Sequence, residues 1–332
     1  MVVSMRYEAL VLAIIIVGAV FLVAPMTMAG GQNQQKAVGA ILYLWYGYNY
    51  QTGSWTGGLG TSHWNDSAYD VVVDTPVIGY YASDSPSTFA WQINQMVSDG
   101  ITFVLVDWWG PGATNQLDAA VNQATLALLQ WIQQTGSPMK VAIMVDQFNS
   151  TPMGAQDYAQ IQSYVETEFY GPYASEIFHW EGQPLLVWWG SFSPPAASGL
   201  TQRTLGYNDQ WAWEDLPVQF FQGGKIPYWV SSSSPISADG EITISPRYDD
   251  YYLYAAGSRQ SYAEYDVTYG LGMYRYLWRY IMASPQVHLV IIYSWNEYHE
   301  RTEIEPHTDY TARGMNPYML SNETESFIRS WK

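Results

Sequence analysis

Asn296, Glu297, His299, Glu300, Glu303 and Glu305 crowd into ten residues near the end of the chain, inside the segment HLVIIYSWNEYHERTEIEP at 288–306. A sequence with 13% charged residues places ionisable groups at that density nowhere else. Carboxyl groups gathered in this way are equipped for proton transfer. One that keeps its proton can deliver it to a departing oxygen, and one that stays ionised can withdraw a proton. Glu297 and Glu300 are the candidate catalytic pair. Residues three apart on a continuous strand point to opposite faces, so these two share a cleft only if the chain turns just after Trp295.

The element that must hold them is a buried strand over 288–294, short, rich in β-branched residues and almost unbroken in apolar character. Seven further runs of this kind are expected at 40–46, 76–80, 103–107, 141–145, 185–188, 226–230 and 242–245. Helical patterns fall between several of them, at 87–99, 117–135, 155–169 and 262–282. Strand and helix in alternation imply a parallel sheet. Eight repeats in about 300 residues favour closure into a (β/α)8 TIM barrel, a single-domain α/β fold over residues 30–332. Such barrels carry their chemistry at the C-terminal ends of the strands, where the glutamate cluster falls. The stretch 192–240, rich in Ser, Pro and Gly, reads as a long excursion over the cleft and leaves the sixth strand the least defined.

Residues 1–29 carry Arg6, an apolar run over 9–24, then Pro25 and a small-residue exit at Thr27, Met28 and Ala29, the layout of a secretory signal. The expectation is a secreted, extracellular protein, or one tethered to the cell surface if the apolar run is retained as a membrane anchor. The chain has no cysteine, so neither disulfides nor thiolate-bound metal contribute, and the core must stabilise itself. Thirteen Lys and Arg against thirty Asp and Glu give a formal charge of −17, which argues against nucleic acid as a partner. No Gly-rich phosphate loop follows a strand, so nucleotide use is not expected either. Twenty-eight Tyr and sixteen Trp offer flat apolar faces with polar edges, the surfaces on which sugar rings stack. The expected partner is a neutral oligosaccharide or polysaccharide. The polar, Lys-poor surface also fits a protein adapted to acidic surroundings.

The motifs resemble family 99 of the glycoside hydrolases, the endo-α-mannosidase and endo-α-mannanase group. The family's closing signature is similar to S-F/W-N-E-W-H-E-G-T-Q-I-E-P, and here Ser294-Trp295-Asn296-Glu297-Tyr298-His299-Glu300-Arg301-Thr302-Glu303-Ile304-Glu305-Pro306 stands in its place. The Y-x-W-Y-G pattern appears at Tyr43-Leu44-Trp45-Tyr46-Gly47, and H-W-N at His63-Trp64-Asn65. The middle block matches at 79–83 and 99–109, ending Val106-Asp107-Trp108-Trp109, and P-G-Y-x-D appears as Pro246-Arg247-Tyr248-Asp249-Asp250. Three departures stand out: Arg301 for Gly, Glu303 for Gln and Arg247 for Gly. An Arg replaces Gly freely only where the backbone needs no positive φ. Both arginines are expected beside the cleft, where they would alter the subsites.

The resemblance implies a retaining glycoside hydrolase acting on α-linked, manno-configured glycans, without a cofactor. The substrate's own 2-hydroxyl attacks the anomeric carbon. By position, Glu297 would remove that hydroxyl's proton, while Glu300 would protonate the leaving oxygen and later activate water. Glu300 should therefore be held protonated by apolar neighbours or by the Glu297 charge. Tyr46, Tyr248 and Asp250 match positions that hold sugar hydroxyls. Asn296, His63, His299, Asp107, Trp45 and Trp108 are further candidates for substrate contact, with Trp109 and Trp188 as other stacking surfaces or core. Asp249, Asp250 and the glutamates lack the ligand spacing of a calcium loop, and no H-E-x-x-H is present, so no metal is expected. Two rival readings are a barrel hydrolase of α-1,3-glucan and a non-catalytic carbohydrate-binding surface protein on the same fold.

Overall fold

Most strands of the central sheet are short runs whose apolar side chains are buried on one or both faces, and this is what places them side by side and parallel. The structure, a computed structural model, describes residues 36–111, 115–146, 154–190, 193–197, 199–206, 210–212, 218–224, 236–266, 271–312 and 314–332. In chain order the strands are β1 (Ala37–Tyr43), β2 (Phe103–Trp108), β3 (Lys140–Val145), β4 (Gln183–Trp189), β5 (Thr201–Gly206), the two-residue β6 (Trp211–Ala212), β7 (Glu241–Ile244) and β8 (Leu289–Ile292). They hydrogen-bond in the order β6-β5-β4-β3-β2-β1-β8-β7, every neighbouring pair parallel. That is the cyclic order of a barrel. Among the described residues no pairing joins β6 to β7, so the sheet stands as a curled arc whose two ends are not hydrogen-bonded to each other.

Every residue of β1 and β2 is buried, as the near-continuous apolar sequence requires for strands covered on both faces. Gly39 in β1 lies under the ring of Phe103 in β2; a Cβ there would sit 2.2 Å from the ring's Cζ. The helices α1 (Pro86–Ser98) and α2 (Gln116–Thr135) follow β1 and β2 in sequence and bury one stripe each. Asn115 caps α2 by accepting from the Asp118 amide at 2.9 Å, and Gly136 ends it at φ 66°. Helix α3 (Ala155–Tyr164) continues as a π-helical turn over Val165–Tyr170. A short α4 (Tyr251–Ala255) follows β7, and α5 (Gly272–Met282) precedes β8. The terminal α6 (Met319–Trp331) packs on α5 through stacked Trp278 and Phe327. A Gln95–Ser321–Asp99 set of hydrogen bonds ties it to the end of α1.

Three sequence expectations change here. The run 76–80 is not a sheet strand; only Thr75–Pro76 is extended, paired antiparallel with His307–Thr308. The second strand of the sheet is therefore the run at 103–108. The run missing from the sequence reading is β5, whose Thr, Gln and Arg leave its middle half-exposed and hide the apolar signal. The helix expected over 262–282 begins only at Gly272, because Ala263–Tyr265 pairs as a strand with Tyr248–Asp249. The strand expected at 226–230 and the signal segment at 1–29 lie outside the described residues. Among the described residues no helix is long and apolar enough to cross a membrane.

Candidate active site

Parallel register brings Tyr43, Asp107 and Met144 into one row across the C-terminal ends of β1, β2 and β3. All three line a cavity of about 860 Å³, together with Trp189 at the end of β4, Gly190 just after it and Gly206 at the end of β5. That volume is in the range of small-molecule sites. The opening therefore sits where α/β sheets carry their chemistry.

The loop after β8 supplies the carboxyl pair. Beyond Ile292 the chain stays bonded to its neighbours, with the Tyr293 amide donating to Ile244 O at 2.8 Å and the Trp295 amide to Ile41 O at 2.8 Å. It then folds back: Ser294 N donates to Thr302 O at 3.0 Å, Thr302 N to Glu297 O at 3.2 Å, and Glu305 N to Trp295 O at 2.8 Å. This closed turn puts both Glu297 and Glu300 on the cavity wall, as a turn after Trp295 was expected to do. Trp45, His63, Asp107, Tyr248 and His299 also line it.

Glu297 is buried, and one of its oxygens is held twice. Oε1 accepts from the His299 amide and contacts His299 Nδ1, each at 2.9 Å. Burial pushes the Glu297 carboxyl up, and the bond to His299 opposes it. Glu300 meets Arg259 and the Tyr293 hydroxyl, not apolar side chains. Where apolar neighbours were one expectation for Glu300, a guanidinium and a phenol stand against it. Arg259 also reaches Asp250 and the Tyr248 hydroxyl, each at 3.4 Å. Asp107 Oδ2 accepts from Trp109 Nε1 at 2.8 Å, and its buried Oδ1 has no hydrogen-bond partner among the described residues. Burial, then the nearby Asp146, pushes that carboxyl well up, so it favours the protonated form and can donate a hydrogen bond. The His63 ring stacks on Trp45 at 4.3 Å, and burial holds it down at about 3, a neutral imidazole.

Four of the expected contact residues stand behind the wall and do not line the cavity. Tyr46 donates to Asn296 O at 2.8 Å and accepts from the Tyr298 amide at 3.1 Å. Asn296 clamps both polar groups of the Tyr43 backbone at 2.9 Å. These two fix the loop after β8 to β1. Asp250 accepts from the Ala263 amide at 2.7 Å and steadies Arg259. Trp108 is core, its Nε1 donating to Asn122, and Trp188 is fully buried too.

Arg247 and Arg301 also turn away from the cavity, which corrects their expected place on the subsites. Their guanidiniums are buried among Asp74, Asp249, Glu303 and Asp309. Arg301 does occupy positive φ, at 53°, as the resemblance to a glycine position warned. Glu303, the third departure, accepts from Arg247 at 2.8 Å. His63, Asp70 and His299 bring ligating atoms within 4.8 Å of one another, as do Asp74, His307 and Asp309. Asp70 is bonded to His299, and Asp74 and Asp309 to the two arginines, so we assign no ion to either group.

The cavity also takes Tyr43, Asp66, Asp70, Asp146, Arg259 and Tyr293, which sequence reading did not single out. Asp146 had a signal: it follows Val145, the last residue of β3, much as Val106-Asp107 falls near the end of β2. Asp66, Asp70 and Arg259 come from irregular loops with no such mark. Six carboxyl groups against one guanidinium make the wall acidic, which disfavours phosphorylated or acidic sugars.

No family model matches the sequence, and no curated protein matches it. Solved structures do share the fold. The GH99 endo-α-mannosidase from Bacteroides thetaiotaomicron superposes with a TM-score of 0.61 at 17% identity, over 89% of this chain and 97% of that one. The structure of that endo-α-mannosidase in complex with bis-tris-propane gives 0.60 at 19% identity, over 89% and 97%. A glycoside hydrolase-like protein gives 0.51 at 14%, over 90% and 95%. At such identities the likeness is one of fold. It falls on the same family that the motifs resemble.

Proposed function

We propose that this protein is an exported glycoside hydrolase that cleaves α-linked, manno-configured glycans with retention, on a (β/α)8 barrel closed between β6 and β7. The observation that carries the reading is the pair Glu297 and Glu300, turned by one loop into one cavity at the C-terminal ends of parallel strands. Their surroundings differ, as two roles require. Glu297, beside His299, takes the proton of the substrate 2-hydroxyl, whose oxygen bonds to the anomeric carbon. Glu300 gives a proton to the departing glycosidic oxygen as that bond breaks. The resulting 1,2-anhydro sugar is opened by water, which loses its proton to Glu300, while Glu297 returns a proton to the 2-oxygen. Asp107, Tyr248 and His63 are placed to hold hydroxyls, and Trp45 to stack on a ring. Export rests on the signal-like pattern at 1–29.

Purified protein should release reducing ends from an α-mannan. Glu297→Gln and Glu300→Gln should each lower the rate by at least about 10²–10⁴-fold while leaving the circular dichroism spectrum unchanged. Equal turnover by either variant would remove that residue from the chemistry. One observation favours a second reading, a carbohydrate-binding protein without turnover: Arg259 sits on the carboxyl that must act as acid. Glycan binding with no products from mannan or α-1,3-glucan oligosaccharides would establish that reading instead. Products from the glucan alone would move the substrate class and keep the chemistry.

A further inference from the structure

We propose that Asp70 is a positioning residue for Glu297, acting through His299 to keep Glu297 ionised and aimed at the substrate. The inference rests on the reading of Glu297 as the base. Asp70 lies in the loop region after β1, far in sequence from the catalytic loop, and nothing in its surroundings marks it as a motif. Yet its Oδ1 meets His299 Nε2, and the other ring nitrogen, Nδ1, meets Glu297 Oε1 at 2.9 Å. The three side chains form one hydrogen-bonded line from the outer loop to the catalytic carboxyl.

Glu297 and His299 share a proton that can sit in either of two places. On the ring it makes an ion pair, and on the carboxyl it makes a neutral pair. Burial of both groups favours the neutral pair, because desolvation penalises charge. In that state Glu297 is no base. A carboxylate on the far ring nitrogen reverses the balance, since Nε2–H then has an anionic acceptor and the imidazolium is neutralised from both sides. Burial opposes the His299 charge, but Asp70 and Glu297 outweigh it and hold the ring up at about 10. Burial likewise pushes Asp70 up, and His299 outweighs it and keeps that carboxyl below the usual range.

The remaining charged and titratable neighbours fit this assignment. Asp66, next to Asp70, is pushed up to about 7 by burial and by Asp70, so one of the two acids carries the proton and Asp70 carries the charge. His63 is 5.2 Å from His299 between ring centroids and stays neutral, so it does not repel the imidazolium. Tyr46 stacks on the His299 ring at 6.0 Å and fixes its plane. Glu300 also lines the cavity beside Glu297, and any charge on it works against ionisation of Glu297; the bond to His299 opposes that effect, while burial keeps Asp107 toward its neutral form. With Oε1 held by the ring and by the His299 amide, Glu297 Oε2 has no hydrogen-bond partner among the described residues and is the oxygen left for substrate.

The test is Asp70→Asn in the full chain, with Asp70→Glu as the conservative rescue. Asparagine keeps the size but removes the anion, so the shared proton moves to Glu297. The acidic limb of kcat/KM should shift up by about one pH unit or more, and kcat near pH 5 should fall about tenfold, with KM changed less than twofold. Asp70→Glu should recover most of the rate. Independently of activity, the His299 ring, followed by nitrogen-15 NMR, should stay protonated past pH 8 in the wild type and titrate at least about two units lower in Asp70→Asn. An unshifted pH profile with an unshifted His299 titration would overturn the proposal. If Asp70→Asn does not fold, the wild-type titration decides alone: a His299 ring that titrates near its ordinary value of 6.5 sinks the assignment. If the wild type cleaves no glycan, the reading of function fails, and the NMR titration still reports whether Asp70 holds the proton on His299.

Discussion

Arg301 holds a left-handed backbone at φ 53°, a conformation that costs a non-glycine residue about 1–2 kcal/mol. What offsets that cost is a buried guanidinium with every nitrogen bonded: Nε to Asp74 at 2.7 Å, Nη1 to Asp249 at 2.6 Å, Nη2 to Asp309 at 3.1 Å and to Thr311 at 3.0 Å. Arg247 closes the network with Asp74, Glu303 and Asp309, and donates to the Arg301 carbonyl at 2.8 Å. Arg301→Gly relieves the backbone and strands carboxylates in the interior. Because breaking a buried pair costs about 3–5 kcal/mol, the variant should lose stability despite its relaxed φ. A denaturant midpoint equal to or above that of the wild type would show the network to be dispensable. At this scale the glutamate pair was legible because its two members lie three residues apart in one loop. The fate of the arginines was not. Their partners Asp74, Asp249 and Asp309 are spread over 236 residues of chain, and only the folded loops bring them together.

Strands β1, β2, β3, β4 and β8 could be found in the sequence because burial on both faces demands near-unbroken apolar runs, and β7 because Ile242 and Ile244 alternate within it. Strand β5 could not, since its half-exposed centre allows Gln202, Arg203 and Thr204. The run at 76–80 misled for the opposite reason, being apolar without a sheet to join. Helix α5 was drawn too long because the tyrosines at 262–265 fit a helical stripe as well as a strand. Packing between strands is likewise invisible until their register is known. Gly39 of β1 is opposite Phe103 of β2, and its missing side chain is the space the ring fills. Gly39→Ala should therefore overpack the sheet and cost about 1–3 kcal/mol, read as a lower denaturant midpoint with an unchanged slope. Pairing it with Phe103→Leu should return part of the loss, as two contacting sites are not additive. If the single variant is as stable as the wild type, this interdigitation is not how β1 and β2 pack.

For the whole molecule, an acidic chain of formal charge −17 keeps many carboxyls in its interior, and their directions set its response to pH. Burial first, with smaller opposing hydrogen bonds, pushes Asp99 and Asp250 up to about 6 and Glu305 to about 7. Glu241, buried in β7, also moves well up by desolvation. Each such group binds a proton in the folded state that the unfolded chain has already released. Its contribution is complete below the ordinary carboxylate value and fades as pH rises through the folded one, so stability should fall between pH 5 and pH 7. Asp70, Asp74, Asp239 and Asp309 go the other way: burial raises them, but bonded cations, and for Asp239 the Ser237 hydroxyl and then Arg203, outweigh it and hold them below the ordinary value. Their contribution is present above that value and is lost as pH drops further, when the Arg247–Arg301 network loses its anions. The two sets together place maximal stability near pH 4–5, in line with the expectation of acidic surroundings drawn from the scarcity of lysine. Thermal or urea denaturation at fixed ionic strength from pH 3 to pH 8 reads this directly. A midpoint that rises steadily from pH 5 to pH 7 would mean that the buried acids are ionised in the native state and that the low-lying set alone governs the profile.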